Sequence, residues 1–260
     1  MLFSLSSFWL ARITSSGGFC ARWLCSQCAV CRSWPASAVC QPCQDRFAQV
    51  QPRCRTCALV LPANLALDHR QRPDRCPACT VRPPELDACF AALPYAYPWS
   101  DLIGRFKFSS QTGWAAFFAE LMLQAASCRN LLAQLEAADF VVPMPLATGR
   151  LQSRGFNQAW ELAKALHRQS GCAARLDAAL LLRLRATLAQ SRLKRAQRMQ
   201  NVKGAFAVDP LRSAELQGRR VLLVDDVMTS GASVFTAAQA LREAGASEVA
   251  AALLARTEPA

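Results

Sequence analysis

The clearest hydrophobic run in the chain is Val221-Leu222-Leu223-Val224, four consecutive apolar residues ahead of a polar loop. A run of this kind, without alternation, reads as a strand of a parallel sheet buried on both faces. From Phe235 to Ala244 the apolar positions recur at helical spacing, and Gly245 stands where a helix cap belongs. The same order occurs upstream. Phe140-Val141-Val142-Pro143 reads as a strand, an irregular basic stretch follows, and a helix is predicted from about Asn157 to Gln169, stopped at Gly171. Strands near 139–143, 220–225 and 248–254, alternating with helices, predict an α/β fold. Its mainly parallel sheet would be flanked by helices and joined by right-handed crossovers.

This periodicity begins only after Pro83 and Pro84, and the composition changes there too. Ten of the thirteen cysteines precede residue 84, along with ten Arg, no Lys and three acids (Asp45, Asp68, Asp74), a local charge of +7. Four Cys-x-x-Cys pairs stand in this stretch: Cys28/Cys31, Cys40/Cys43, Cys54/Cys57 and Cys76/Cys79. Two thiolates two residues apart can face one ion from a tight turn, and two such turns complete a tetrahedral Cys₄ zinc site. Sequential pairing gives two structural zinc ions, with eight and eighteen residues between the paired turns. A crossed arrangement, in which the first and third pairs share an ion, and a substitution by Cys25 are the alternatives. So small a segment, poor in aliphatic runs, would draw its folding free energy from metal. The expected organisation is an N-terminal extension over 1–24, a double zinc ribbon over 25–84 and the α/β domain over 85–260.

Charge narrows the partners. Thirty Lys and Arg against eighteen Asp and Glu give a net charge of +12, which favours anions: phosphorylated metabolites, nucleic acid or an acidic surface. With 52% hydrophobic residues the chain is not globally disordered. No apolar stretch reaches the roughly 18 residues of a membrane span; Trp114–Ala126 is broken by Glu120 and Gln124. The first ten residues lack the basic start of a secretory signal, so a soluble, cytoplasmic protein is expected. No pattern specifies an oligomeric state.

The chemistry concentrates after the Val221–Val224 strand, in Asp225-Asp226-Val227-Met228-Thr229-Ser230-Gly231-Ala232-Ser233. Small hydroxyl residues and a glycine at a helix N-terminus offer N–H groups and a favourable dipole to a phosphate. Two adjacent acids would repel phosphate alone, but they suit sugar hydroxyls or a divalent cation. A pentose 5-phosphate satisfies both halves. Residues 221–233 resemble the phosphoribosyl pyrophosphate (PRPP) signature of type I phosphoribosyltransferases. Taken with Phe106-Lys107-Phe108, Val142-Pro143-Met144-Pro145-Leu146, Arg154-Gly155-Phe156-Asn157-Gln158, Asn201-Val202-Lys203-Gly204-Ala205-Phe206 and the cysteine pairs, the chain from about Cys28 to Arg256 resembles the ComF family. Gln111-Thr112-Gly113 departs from the basic turn expected after Lys107.

The resemblance implies a phosphoribosyltransferase-like domain over 85–260 that takes PRPP with Mg²⁺. Asp225, Asp226, Thr229, Ser230, Gly231, Ala232 and Ser233 would hold the ribose and 5-phosphate. Met144 and Pro145, with Arg150 and Arg154, would lie at the pyrophosphate. The segment Arg183–Lys203, with seven basic residues and no acid, matches the loop that closes over the ligand in this superfamily. Arg154, Arg195 and Arg198 would then stabilise the leaving pyrophosphate. The implied activity is phosphoribosyl transfer to an acceptor that no residue identifies, in a protein associated with DNA uptake. The alternatives are a competence accessory that binds single-stranded DNA and a PRPP sensor without turnover. Serine at Cys54 or Cys57 is expected to unfold the N-terminal segment and leave the α/β sheet largely intact, and Gly231→Val to weaken PRPP binding at least as much as alanine at both Asp225 and Asp226 while keeping the zinc and the fold.

Overall fold

The structure, a computed structural model, describes residues 27–34, 37–62, 74–108, 111–185 and 204–258. The chain divides into two compact units, 1–46 and 47–260. In the first, a turn at Cys28 is closed by the Arg32 N–H on the Cys28 carbonyl (3.0 Å), and Cys40 precedes helix α1 (Gln41–Phe47).

In the second unit a turn through Cys54–Cys57 is closed by the Ala58 N–H on the Cys54 carbonyl (2.8 Å), and Cys76 caps the short helix α2 (Pro77–Val81). Next come β1 (Ala88–Pro94), α3 (Trp99–Phe108), α4 (Trp114–Gln124), α5 (Ala126–Ala133) and β2 (Phe140–Pro143). They are followed by α6 (Thr148–Arg154), α7 (Gln158–Ser170), β3 (Arg175–Leu176), β4 (Leu181–Arg183) and β5 (Phe206–Val208). The last elements are β6 (Arg220–Met228), α8 (Ala232–Glu243) and β7 (Glu248–Arg256). Five strands form one parallel sheet in the order β1-β7-β6-β2-β3, while β4 and β5 pair separately and antiparallel. The mainly parallel sheet with flanking helices expected from the periodicity is the observed fold.

The Val221–Val224 run sits at the sheet centre, every residue at most 1% exposed. One face of its strand and its neighbours (Val221, Leu223, Val249, Ala251, Leu253, Phe140, Val142) packs on Val234, Ala237, Ala238 and Leu241 of α8. Cys54, Cys57, Cys76 and Cys79 belong to that same core. The composition changes at residue 84, but packing does not break there: the second cysteine group is built into the sheet's own core. That packing argues against serine at Cys54 sparing the sheet, because the thiol is wholly buried in this core. No helix among the described residues is long and apolar enough to cross a membrane.

Candidate functional site

Asn157 caps α7, its side chain accepting from the Ala159 N–H at 3.0 Å, and Gly171 ends the helix in the left-handed conformation. The Asn157 amide also donates to the Met144 carbonyl (3.1 Å), and the Met144 N–H donates to Val224 (2.8 Å). The stretch after β2 is thus tied both to α7 and to β6. Arg150 and Arg154 lie on α6, which ends at Gly155 with φ +78°. Residues 148–154, read from sequence as an irregular loop, are helical.

β6 runs on to Met228, so Asp225 and Asp226 are still strand residues, at its C-terminal end. Gly231 then turns with φ +84° and caps α8, which begins three residues earlier than the periodicity indicated. The first N–H groups of such a helix have no partner within it. A Cβ on Gly231 would stand 2.4 Å from Met228 Cε and 2.5 Å from Phe235 Cε2. The left-handed backbone favours glycine here, and a branched side chain would have to displace the ends of Met228 and Phe235, disturbing the local turn as well as any ligand. This corrects the expectation that Gly231→Val leaves the fold untouched.

These elements surround one cavity of about 500 Å³ at the C-terminal edge of the sheet. It is lined by Met144, Pro145, Arg150, Arg154, Asp225, Asp226, Thr229, Gly231 and Ser233 among the residues singled out from sequence. Ser230 and Ala232 flank the lining positions; Ser230 instead lines a second cavity, behind the loop. Arg195 and Arg198 lie outside the described residues. The segment that carries them is bounded by β4 and β5, and Arg183 of β4 lines the cavity.

Lys107, whose role the sequence left open, points into the same cavity and pairs with Asp226 at 3.2 Å, both side chains being mostly buried. Tyr95 and Gln158 also line it and were not singled out one by one. Lys107 lies in Phe106-Lys107-Phe108 and Gln158 ends Arg154-Gly155-Phe156-Asn157-Gln158, so those two motifs were the available signal. Burial, and then the neighbouring Asp226 carboxylate, push the Asp225 carboxyl up to about 7. Desolvation lowers Arg154 and Arg183, Asp226 opposing it at the first and Asp225 at the second. The arrangement can hold an anion at the α8 N-terminus, hydroxyls or a cation at the acid pair, and a second anion at the arginines.

The cysteines form two groups, Cys28/31/40/43 and Cys54/57/76/79, each with its four Sγ atoms within 4.8 Å of one another. A tetrahedral zinc with Zn–S of about 2.3 Å spaces its sulfurs about 3.8 Å apart. Sγ of Cys31 and Cys40, and of Cys57 and Cys76, are each 3.6 Å apart. Pairing is sequential, not crossed; Cys25 lies outside the described residues. The donor set also fits chemically. In the second group the Cys57 thiol, ahead of the opposing effect of burial, holds Cys54 down to about 4, while that interaction drives Cys57 up. Four thiolates this close repel one another, so a full set requires a cation. In the first group the Val30 and Cys40 N–H groups donate to Cys28 Sγ at 3.4 and 3.3 Å.

The comparisons agree with this geometry. The model of the phosphoribosyl transferase domain matches residues 153–259. The chain is 32% identical to DNA utilization protein YhgH of Salmonella typhimurium, over 92% of this chain and 97% of that protein. It is 30% identical to competence protein F of Haemophilus influenzae, over 82% of this chain and 88% of that one. Competence protein ComFC of Streptococcus pneumoniae is 25% identical, over 87% and 84%. With two Cys₄ groups ahead of a parallel sheet, and relatives at this identity along nearly its whole length, the chain belongs to the ComF family of phosphoribosyltransferase-domain proteins.

Proposed function

We propose that the protein binds PRPP with Mg²⁺ in the 500 Å³ cavity and transfers the phosphoribosyl group to an acceptor, displacing pyrophosphate. One observation carries the reading: an acid pair, a glycine-turned helix N-terminus and four basic side chains (Lys107, Arg150, Arg154, Arg183) face one cavity. The 5-phosphate takes the first N–H groups of α8 and the hydroxyls of Thr229 and Ser233, with Ser230, Gly231 and Ala232 contributing backbone to the turn. Asp225 and Asp226 accept from the ribose hydroxyls. Met144 and Pro145, with Arg150 and Arg154, hold the pyrophosphate, where positive charge stabilises the leaving group. Arg195 and Arg198 serve that charge from the segment between β4 and β5. Mg²⁺ would supply charge neutralisation at the pyrophosphate oxygens. The zinc ribbons of residues 25–84 act as scaffold ahead of the transferase domain at 85–260.

Calorimetry with PRPP and Mg²⁺ tests the site. Asp225→Ala together with Asp226→Ala should remove contacts worth roughly 1.5–3 kcal/mol each. Unchanged binding by this variant would remove the ribose from the acid pair. Turnover is tested by ³¹P NMR of PRPP with a panel of bases: release of pyrophosphate marks a transferase, binding without release a sensor. A DNA-handling role is the second reading, favoured by the names of the relatives and the net charge of +12. Single-stranded oligonucleotide binding that weakens steeply with salt would support it.

A further inference from the structure

We propose that Arg256 is a positioning residue that couples metal occupancy of the second cysteine group to ligand binding at the loop 229–233. The inference rests on the PRPP reading above. Arg256 ends β7 and is only 4% exposed. Its Nε donates to the carbonyl of Cys57 at 2.9 Å. Its Nη1 donates to the carbonyls of Met228 (3.1 Å), Thr229 and Thr257. One guanidinium thus joins a cysteine of the metal group to the first residues of the phosphate loop.

Charge says what such a residue needs. Among the described residues every hydrogen-bond partner of Arg256 is a backbone carbonyl; Glu258 is taken by Arg53 at 2.7 Å. Glu258 offsets part of the Arg256 charge without touching it, and a buried cation balanced only in part is costly. Four thiolates on one zinc ion form a dianion, and Cys57 is one of the four. The loaded group therefore provides the counter-charge that the carbonyls cannot.

Geometry says what the residue does. In a trans peptide the carbonyl and the following N–H point in opposite directions. Holding the Met228 and Thr229 carbonyls toward Arg256 turns the N–H groups of Thr229 and Ser230 away from it. The frame around this link is stiff. Glu258 accepts from Arg53 and from the Val60 N–H (3.2 Å), and the Thr257 N–H donates to Met228 at 3.0 Å. A cavity of about 600 Å³ bounded by Cys57, Cys79, Ser230 and Phe235 leaves room for the turn to shift when the metal goes.

Coupling is reciprocal, so PRPP must also tighten the metal. The test uses the full-length protein with cobalt exchanged into the cysteine groups. Cobalt–thiolate absorption and the rate of metal loss to a chelator are followed with and without PRPP and Mg²⁺, in wild type, Arg256→Lys and Arg256→Met. In wild type, PRPP should shift the absorption bands and slow the loss of one of two ions by about five- to tenfold. In Arg256→Met both effects should vanish and PRPP affinity should fall about tenfold, with two metals still bound. Arg256→Lys, which keeps the charge, should recover part of each. Wild type that binds PRPP with no change in cobalt bands or metal loss overturns the coupling and leaves the PRPP reading standing. Wild type that binds no PRPP ends both. Should Arg256→Met fail to fold, the wild-type pair of measurements still decides.

Discussion

Gly231→Ala is the smallest change that tests the turn ahead of α8. Gly231 has φ +84°, in the left-handed region, where an L-residue costs about 1–2 kcal/mol. The added Cβ would also stand 2.4 Å from Met228 Cε and 2.5 and 2.6 Å from Phe235 Cε2 and Cζ. Met228 is 2% exposed and the Phe235 ring packs against the core, so although each borders a cavity, displacing them gives up packing. Overpacking of this kind costs about 1–3 kcal/mol. Together these give roughly 2–5 kcal/mol, measurable without ligand as a lower denaturant midpoint at unchanged slope. Gly171→Ala is the control. Gly171 also has a positive φ (+65°), but nothing lies within 4 Å of its Cβ position and it is not among the lining residues of the cavity. It should lose only the backbone part, about 1–2 kcal/mol, and keep PRPP affinity. A Gly231→Ala protein no less stable than Gly171→Ala would refute the packing argument. One that loses stability yet binds PRPP like wild type would detach the turn from the ligand.

Three further predictions follow from the same contacts. Cys54→Ser should lower the stability of the sheet itself and leave about one zinc per chain, while Cys31→Ser should leave the unfolding of residues 47–260 unchanged. Metal analysis with denaturation of each variant checks this, and equal effects would contradict the packing of Cys54 in the sheet core. Lys107→Met strands Asp226 as a mostly buried charge, so stability should fall by up to about 3 kcal/mol and recover when Asp226→Asn is added; a double-mutant cycle reads it. The Asp225 carboxyl, raised to about 7, is ionised only at and above neutral pH, so PRPP affinity should rise about tenfold from pH 6 to 8, and Asp225→Asn should flatten that rise. The linkage has the opposite sign for stability. A carboxyl raised from 3.8 to about 7 favours the fold below pH 4 and loses that contribution as pH climbs to 7, so Asp225→Asn should be the more stable protein at pH 8.

The strands near the middle of the sheet were legible because burial on both faces leaves an uninterrupted apolar run, as at Val221–Val224. The helix α7 was legible because Asn157 and Gly171 mark its ends. α8 was placed late because Ala232 to Val234 are small and carry no apolar period; its start is fixed by the left-handed turn at Gly231. β1 carries an apolar run of its own, Ala88 to Leu93, but nothing local assigns its partner, which is β7 through Ala88 to Ala250, far along the chain. The second cysteine group reads as part of a separate ribbon by composition, yet it shares one buried core with Leu86, Ala91 and Leu253. A count of cysteines before residue 84 carries no information about that packing. Lys107 and Arg256 were missed as site residues for a common reason: a cation near a helix or strand end usually faces solvent, and only the fold brings these two against Asp226 and Cys57.

The cavity's own charges favour the proposed sugar phosphate over a bare anion. Lys107, Arg150, Arg154 and Arg183 face Asp225 and Asp226, an excess of two positive charges when both acids are ionised. Without ligand, Asp226 is compensated by Lys107 and Asp225 is close to half protonated near neutral pH, so the acids carry less charge than their number implies. A simple phosphate would engage the arginines and the α8 N-terminus while leaving the acid pair as repulsive neighbours. Ribose hydroxyls donate to those same carboxylates and favour the ionised form of Asp225, since a hydrogen bond donated to a carboxylate stabilises its charge. The acids thus change from an obstacle into acceptors only for a ligand that carries hydroxyls between two anionic groups. That conversion follows from the spacing along one strand and turn, with acids at 225–226 and the helix N-terminus at 231–233, and under the proposed function it holds with or without transfer of the sugar.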